Sequence, residues 1–266
     1  MRFTIIVVSL NAGEELKKTV LSVLNQRFHD YEILVKDGGS GDGSVKELPA
    51  NERLRIIVKD DLSIYDAMNQ AVAEARGDYL LFLNCGDYLD DDKVLGKAAK
   101  ALAMEPADIY YGDLYRRTLD STDVAPDRIT DLVCYRNVPC HQVCFYAKRL
   151  FEKRGYLTKY RVRADYEHFL YCYYKLGAKC VHLPFTVCSY MGGGFSETKD
   201  HKAEAKQEHA VITEQYMGKK AKLFNLIMIL TLQPLREAMA GSRLFSGLYH
   251  KLKAAIYGLR SGRKKE

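Results

Sequence analysis

The chain has 266 residues, 47% hydrophobic and 28% charged, an ordinary composition for a soluble globular protein with one large core or a core plus an appendage. Its formal charge of +6 is uneven: residues 218–266 hold eleven Lys and Arg against two Glu, net +9, which leaves −3 on the rest. A mildly acidic body with a basic tail argues against a nucleic-acid partner and gives the tail an electrostatic task of its own.

Residues 3–9 open with the β-branched run Thr4-Ile5-Ile6-Val7-Val8, suited to a buried strand. The run is too short for a signal peptide, and Glu14 and Glu15 follow soon after it. Residues 14–26 read as an amphipathic helix with Leu16, Val20, Val23 and Leu24 on one face. Strands are predicted at 31–36, running into the glycine-rich segment 37–44, and at 54–59, running into Asp60-Asp61. Residues 64–75 are predicted helical, with Ala67, Met68, Ala71 and Val72 as the apolar face. The continuously apolar run 79–83 reads as a central parallel strand, ending in Asn84-Cys85-Gly86-Asp87. A helix near 92–104 and a strand at 108–112, closed by Asp113 as the last core strand, complete the alternation. Strand, helix, strand, helix predicts an α/β fold, a Rossmann-like, mostly parallel sheet with helices on both faces.

Seven cysteines, an odd number with no secretory signal ahead of them, point to free thiols in the reducing cytoplasm. No stretch reaches the about 18 apolar residues of a membrane span. Cys134, Cys140, His141 and Cys144 do not match the spacing of a zinc site.

Three strands end in Asp or Asn followed by small or polar residues, at Asp37, Asp61 and Asn84–Asp87. Any one of these Asp residues is a good turn former. Together, at the carboxyl ends of parallel strands, they mark a ligand site. A carboxylate there can hold a hard divalent cation that also bridges phosphate oxygens. The glycine-rich segment is not a dinucleotide fingerprint, because Ser44 stands where a third glycine is needed and Asp37 leads the loop. No Gly-Lys-Ser/Thr phosphate loop occurs either.

Four stretches in this order carry a resemblance: residues 7–11 (VVSLN), 36–44 (KDGGSGDGS), 61–69 (DLSIYDAMN) and 82–87 (FLNCGD). They resemble the family 2 glycosyltransferases of GT-A fold, in the branch that assembles bacterial exopolysaccharides and O-antigens, over roughly residues 1–200. The resemblance implies a nucleotide-sugar site formed by Ser9, Asn11, Asp37, Asp61, Asn84 and Asp87. In it Asp37 meets the base, usually uracil, Asp61 closes the nucleotide pocket, and Asp87 holds Mn²⁺ or Mg²⁺. Asn84 departs from the family's Asp-x-Asp motif, and one anion fewer should weaken the metal site. Ser63 stands where the family commonly has Gly.

In the second half, His141-Gln142 precedes a strand at 143–147 and resembles the family's pair near the diphosphate and acceptor. A helix opens near Arg163, where Asp165 either caps the helix or, as the resemblance implies, is the catalytic base, with Glu167 as a supporting or acceptor-facing neighbour. Asp113 is either a turn residue or faces the donor sugar. The loop at residues 191–196 (MGGGFS) is either a plain linker or a lid over bound donor, ahead of a polar helix at 197–216. Within 244–259, Leu244, Phe245, Leu248, Leu252, Ile256 and Leu259 share one helical face flanked by basic residues. That pattern suits a helix lying on an anionic membrane, or one packed on the body or a partner.

Residues 1–217 are therefore read as the transferase domain, with 1–113 its nucleotide half and 114–217 its acceptor half, and 218–266 as a basic amphipathic tail. The resemblance implies an inverting, metal-dependent transfer from a nucleotide-diphospho-sugar, UDP-linked in expectation, to a polyprenyl-linked or growing glycan acceptor. The expected location is the cytoplasm, at the inner face of the membrane. The alternative is a catalytically silent sugar-nucleotide-binding subunit that scaffolds a membrane complex, favoured only by Asn84 in place of Asp.

Overall fold

The computed structural model describes residues 1–192 and 199–230. The helix expected at 244–259, and all but the first two residues of the glycine loop at 191–196, lie outside them. Strands β1 (Phe3–Ser9), β2 (Tyr31–Asp37), β3 (Leu54–Val58) and β4 (Tyr79–Asn84) are hydrogen-bonded in parallel in the order β3-β2-β1-β4. Every residue of β1 and β2 is buried; β1 is accordingly an almost wholly apolar or β-branched run, while in β2 the buried Glu32 and Lys36 are paired with Arg55 and Asp61. Helix α1 (Glu14–Leu24) lies between β1 and β2 and α2 (Ile64–Glu74) between β3 and β4, while α3 (Val94–Met104) follows β4 in the chain. The α1 stripe Leu16, Val20 and Val23 and the α2 stripe Ala67, Met68, Ala71 and Val72 are buried as their periodicity requires.

Ser63 has a local explanation. It is the extended residue before α2 and its hydroxyl accepts the Asp66 N–H at 3.2 Å, while Asp66 Oδ2 accepts the Leu62 N–H at 2.9 Å. This reciprocal cap fixes where α2 begins.

The sheet does not end at Asp113. Strands β5 (Tyr88–Leu89), β6 (Ile109–Arg116), β7 (Ser121–Asp123), β8 (Cys144–Ala147) and β9 (Cys180–Tyr190) extend it in the order β4-β8-β6-β9-β5, with β7 on β6. β8 enters antiparallel between β4 and β6, so the second half is mixed rather than parallel. β9 was hidden in the sequence by Pro184 and by its alternation of polar and apolar residues. At Gly112 a Cβ would stand 2.6 Å from Val187 Cγ2 and 2.7 Å from the Phe185 carbonyl oxygen, so only glycine lets β6 pass β9 there. Asp113 serves this part of the fold: its Oδ1 accepts the Ala125 N–H at 2.8 Å and lies 3.4 Å from His182 Nε2.

Helix α4 (Asp131–Arg136) lies in the connection between β7 and β8, and α5 (Ala164–Lys175) in that between β8 and β9; α6 (Lys199–Met217) and α7 (Lys219–Leu230) follow. α7 rests on α4 through Phe224 against Tyr135, rings 5.6 Å apart, and through Lys220 to Asp131 at 2.6 Å. Among the described residues no helix is long and apolar enough to cross a membrane.

Candidate active site

The carboxyl ends of β1, β2 and β4 form one rim of the sheet, and two clusters stand along it. The first is a pair of loops laced together. Asn11, in the left-handed region at φ +49°, donates its N–H to Ser40 Oγ at 2.7 Å and accepts the Gly41 N–H on Oδ1 at 3.0 Å. Gly13 N–H donates to Asp42 Oδ2 at 2.8 Å. Asp37 turns into its own loop, accepting the Gly39 and Ser40 N–H groups at 2.9 and 2.7 Å and the Ser40 hydroxyl at 2.6 Å. Asp61 is held by Lys36, whose fully buried ammonium donates to Asp61 Oδ2 at 2.8 Å and to the Lys59 and Asp37 carbonyls. Ser9 Oγ is buried without a partner in the same rim. Ser9, Asn11, Asp37 and Asp61 thus share one preformed cradle, though Asp37 and Asp61 already have intramolecular partners.

The second cluster is deeper. The turn after β4 is shaped by Gly86 at φ +91°, a conformation that favours glycine. Thr19 of α1 accepts the Gly86 N–H at 2.9 Å, so the first helix buttresses this turn. Asp87 is buried; its oxygens accept from Gln142 Nε2 and the Met191 N–H, both at 3.2 Å. Burial raises its carboxyl above the ordinary range, against the opposing pull of those two bonds and of the His141 and Arg117 charges. Arg117 donates to the Gly86 carbonyl and lies over the Tyr88 ring at 4.2 Å.

Asp165 joins this cluster from α5. Arg163, not Asp165, occupies the capping position, and no side chain caps the helix. The Asp165 carboxylate instead accepts the Tyr65 hydroxyl on Oδ1 at 3.0 Å and His141 Nδ1–H on Oδ2 at 2.9 Å. Burial pushes its pKa up. The His141 bond and charge, the Tyr166 N–H and the Tyr65 hydroxyl outweigh that, and the net shift is downward. His141 Nε2 lies 3.4 Å from Asn84 Nδ2, while Asn84 Oδ1 is buried without a partner. Asn84, His141, Gln142 and Asp165 line a cavity of about 300 Å³, with Arg116 and Arg163 on its wall.

Glu167 does not join them. It is 0% exposed, is not among the cavity's lining residues, and takes both terminal nitrogens of Arg154, at 2.9 and 3.0 Å, plus the Tyr216 hydroxyl. It locks α5 to α6. Two residues along a helix are about 200° apart, so a neighbour of Asp165 at this spacing faces the other way. Tyr65, Thr19 and Arg163 are the residues that sequence reasoning gave no role. Only Tyr65 had a signal, its place within the 61–69 stretch.

The α/β sheet thus carries two clusters along its carboxyl rim, one in the loops after β1 and β2 and one around the His141–Asp165 pair. A family model described as glycosyl transferase family 2 matches residues 4–182, and the chain belongs to that family. The PGL/p-HBAD biosynthesis glycosyltransferase of Mycobacterium bovis is 33% identical over 204 residues, which span 74% of this chain and 79% of the relative. Among solved structures, residues 1–349 of Staphylococcus aureus TarS align with a TM-score of 0.64 at 16% identity, covering 84% of this chain and 69% of that one; TarS 1–349 has also been solved with UDP-GlcNAc. The mannosyltransferase PcManGT of Pyrobaculum calidifontis, solved with GDP-Man and Mn²⁺, aligns with a TM-score of 0.63 at 15% identity over 98% of this chain and 88% of that one. These likenesses establish the GT-A fold.

Because Glu167 is the buried partner of Arg154, Glu167→Ala should cost about 3–5 kcal/mol by leaving that guanidinium unpaired. Chemical denaturation measures it; a loss below about 1 kcal/mol would remove the anchoring role.

Proposed function

We propose that the protein is an inverting glycosyltransferase that moves a sugar from a nucleotide-diphospho-sugar, UDP-linked, to a hydroxyl of a lipid-linked or growing glycan acceptor. The observation that carries this reading is two clusters on one rim of the sheet: a hydrogen-bonded cradle at the ends of β1 and β2 for the nucleotide, and, at the end of the adjacent β4, Asn84 lining a cavity shared with Asp165 and His141. In this reading Asn11 and Asp37 meet the base and ribose, and Asp61 borders them. Solved relatives of the same fold bind UDP-GlcNAc and GDP-Man.

A cation fits this chain only in part. Among the described residues no group of three or more His, Cys, Asp and Glu could hold a metal ion. Asp87, a carboxylate whose burial disfavours its charge, is the donor the chain supplies, and oxygens of the substrate's diphosphate would complete the shell. When bound, Mn²⁺ or Mg²⁺ neutralises charge on the leaving group. Gln142 and the Met191 N–H hold Asp87 in place, and Tyr65 holds Asp165. The acceptor hydroxyl is a poor nucleophile until a base takes its proton, and the Asp165–His141 pair is placed to do so. One displacement at the anomeric carbon inverts its configuration.

The cytoplasmic membrane face is proposed for the acceptor reaction. On α7, Leu223, Leu226 and Leu230 are 56, 53 and 71% exposed beside Lys219 and Lys222, an apolar stripe with basic flanks. Cations there gain about 1 kcal/mol each near anionic lipid.

Two outcomes are expected. UDP with Mn²⁺ should raise the melting temperature, and chelator or Asp87→Asn should remove most of that shift; a shift equal in chelator would discard the metal, and no shift with UDP, GDP, dTDP or CMP would favour the silent scaffold. Replacing Leu223, Leu226 and Leu230 together by Glu should release the protein from phosphatidylglycerol vesicles in flotation, and unchanged flotation would end the membrane assignment for α7.

A further inference from the structure

Resting on the transferase reading above, we propose that the acceptor is anionic: it carries a carboxylate or a phosphate that the guanidinium of Arg163 holds, while its hydroxyl faces Asp165.

The charges around the cavity carry this. Besides His141, its charged lining residues are Arg116, Arg163 and Asp165. Two of these have partners of opposite sign or complementary chemistry: Arg116 pairs with Asp123, and Asp165 lies 2.9 Å from His141 Nδ1. Arg163 differs. Among the described residues no carboxylate stands within ion-pair distance of it, and its Nε is buried without an acceptor. The side-chain oxygen that its guanidinium reaches is Asn137 Oδ1, at a long 3.4 Å, and Asn137 lines the same cavity. A guanidinium keeps its charge at any working pH, and its fork of donors matches the paired oxygens of a carboxylate or phosphate. Leaving such a donor buried and unpaired is unfavourable, and an anion in the cavity relieves it.

The surroundings hold this cation in place without neutralising it. Glu208 of α6 directs its carboxylate to the backbone, accepting the N–H groups of Arg161, Val162 and Arg163 at 2.7, 3.2 and 2.8 Å. Glu204 of the same helix lies 3.8 Å from the Arg161 guanidinium instead. The Arg163 guanidinium sits over the Tyr166 ring at 5.6 Å, a second restraint on its position.

Position also separates this group from the donor. Neither Asp87 nor the cradle residues Asn11, Asp37 and Asp61 line the cavity, whose wall comes mainly from β6, the segment entering β8 and the start of α5. The nucleotide's phosphates belong with Asp87, so the anion at Arg163 is the acceptor's. A neutral acceptor would leave the guanidinium unpaired, and the site thereby discriminates by charge.

The test reads the Arg163 Nε–H by ¹H–¹⁵N NMR in the full chain, its signal assigned through Arg163→Gln and Arg163→Lys. Methyl glucuronide, glucose 1-phosphate and the neutral methyl glucoside are titrated separately, with and without saturating UDP and Mn²⁺. The signal should move with at least one of the two anions, in both conditions, and stay in place with the glucoside. A response to the glucuronide alone names a sugar carboxylate, and one to glucose 1-phosphate alone names a phosphate ester; either supports the proposal. Arg163→Gln should weaken the bound anion about 10–100-fold, with the UDP-induced thermal shift retained. Arg163→Lys, which keeps the charge and loses the fork, should fall between. No movement with either anion, equal movement with the glucoside, or loss of the response once UDP is bound would overturn the proposal. Anion binding at Arg163 in a protein that binds no sugar nucleotide counts against the transferase reading and leaves the anion site standing.

Discussion

One carboxylate ties the two halves of this molecule together. Asp165 sits on α5, in the second half of the chain, yet its oxygens are held by Tyr65 from α2 in the first half and by His141 from the segment entering β8. A carboxylate with these partners keeps its charge in a largely buried place, where an unpartnered one would be neutralised. The same contacts set the distance between the cavity and the turn carrying Asp87. That turn is itself fixed from below by Thr19, and Asp87 by Gln142. Positions of Asp87, His141 and Asp165 therefore follow from hydrogen bonds running through α1, α2, the turn after β4, the segment entering β8, and α5.

The rest of the scaffold serves those hydrogen bonds. β1 and β2 are buried throughout and bring the Asn11 and Asp37 loops to one rim, where cross-loop hydrogen bonds preform them. Lys36 keeps Asp61 in register beneath Gly38, whose position leaves room for only a hydrogen there: a Cβ would stand 2.9 Å from Asp61 Oδ2. Glu167, bound to Arg154 and Tyr216, fixes α5 against α6 and so holds the helix that carries Asp165. Preformed geometry of this kind lowers the ordering cost of binding substrate.

Much of this was legible in the residues. The β-branched run of β1 and the apolar run of β4 located both strands closely, because buried parallel strands need such sequences. The strand-end acids pointed to the rim. What sequence could not show was pairing across the chain: His141 and Asp165 are 24 positions apart on different elements, and nothing in either neighbourhood states that they meet. Glu167 was expected near the reaction because it follows Asp165 closely, and helical geometry turned it the other way. Asp37 also illustrates the limit, since its carboxylate both makes the turn and lines the cradle, and spacing alone does not separate those roles. β9 escaped because Pro184 reads as a breaker, though the strand tolerates it at an irregularity in the pairing of β6 and β9.

The central claim is that leaving group and proton acceptor act from opposite sides of one anomeric carbon. The most direct test is the configuration of the sugar first released from an α-linked UDP-sugar, followed by ¹H NMR before mutarotation. The account predicts the β anomer as the initial product. Initial release of the α anomer would contradict a single displacement and, with it, the roles given to Asp87 and to the His141–Asp165 pair.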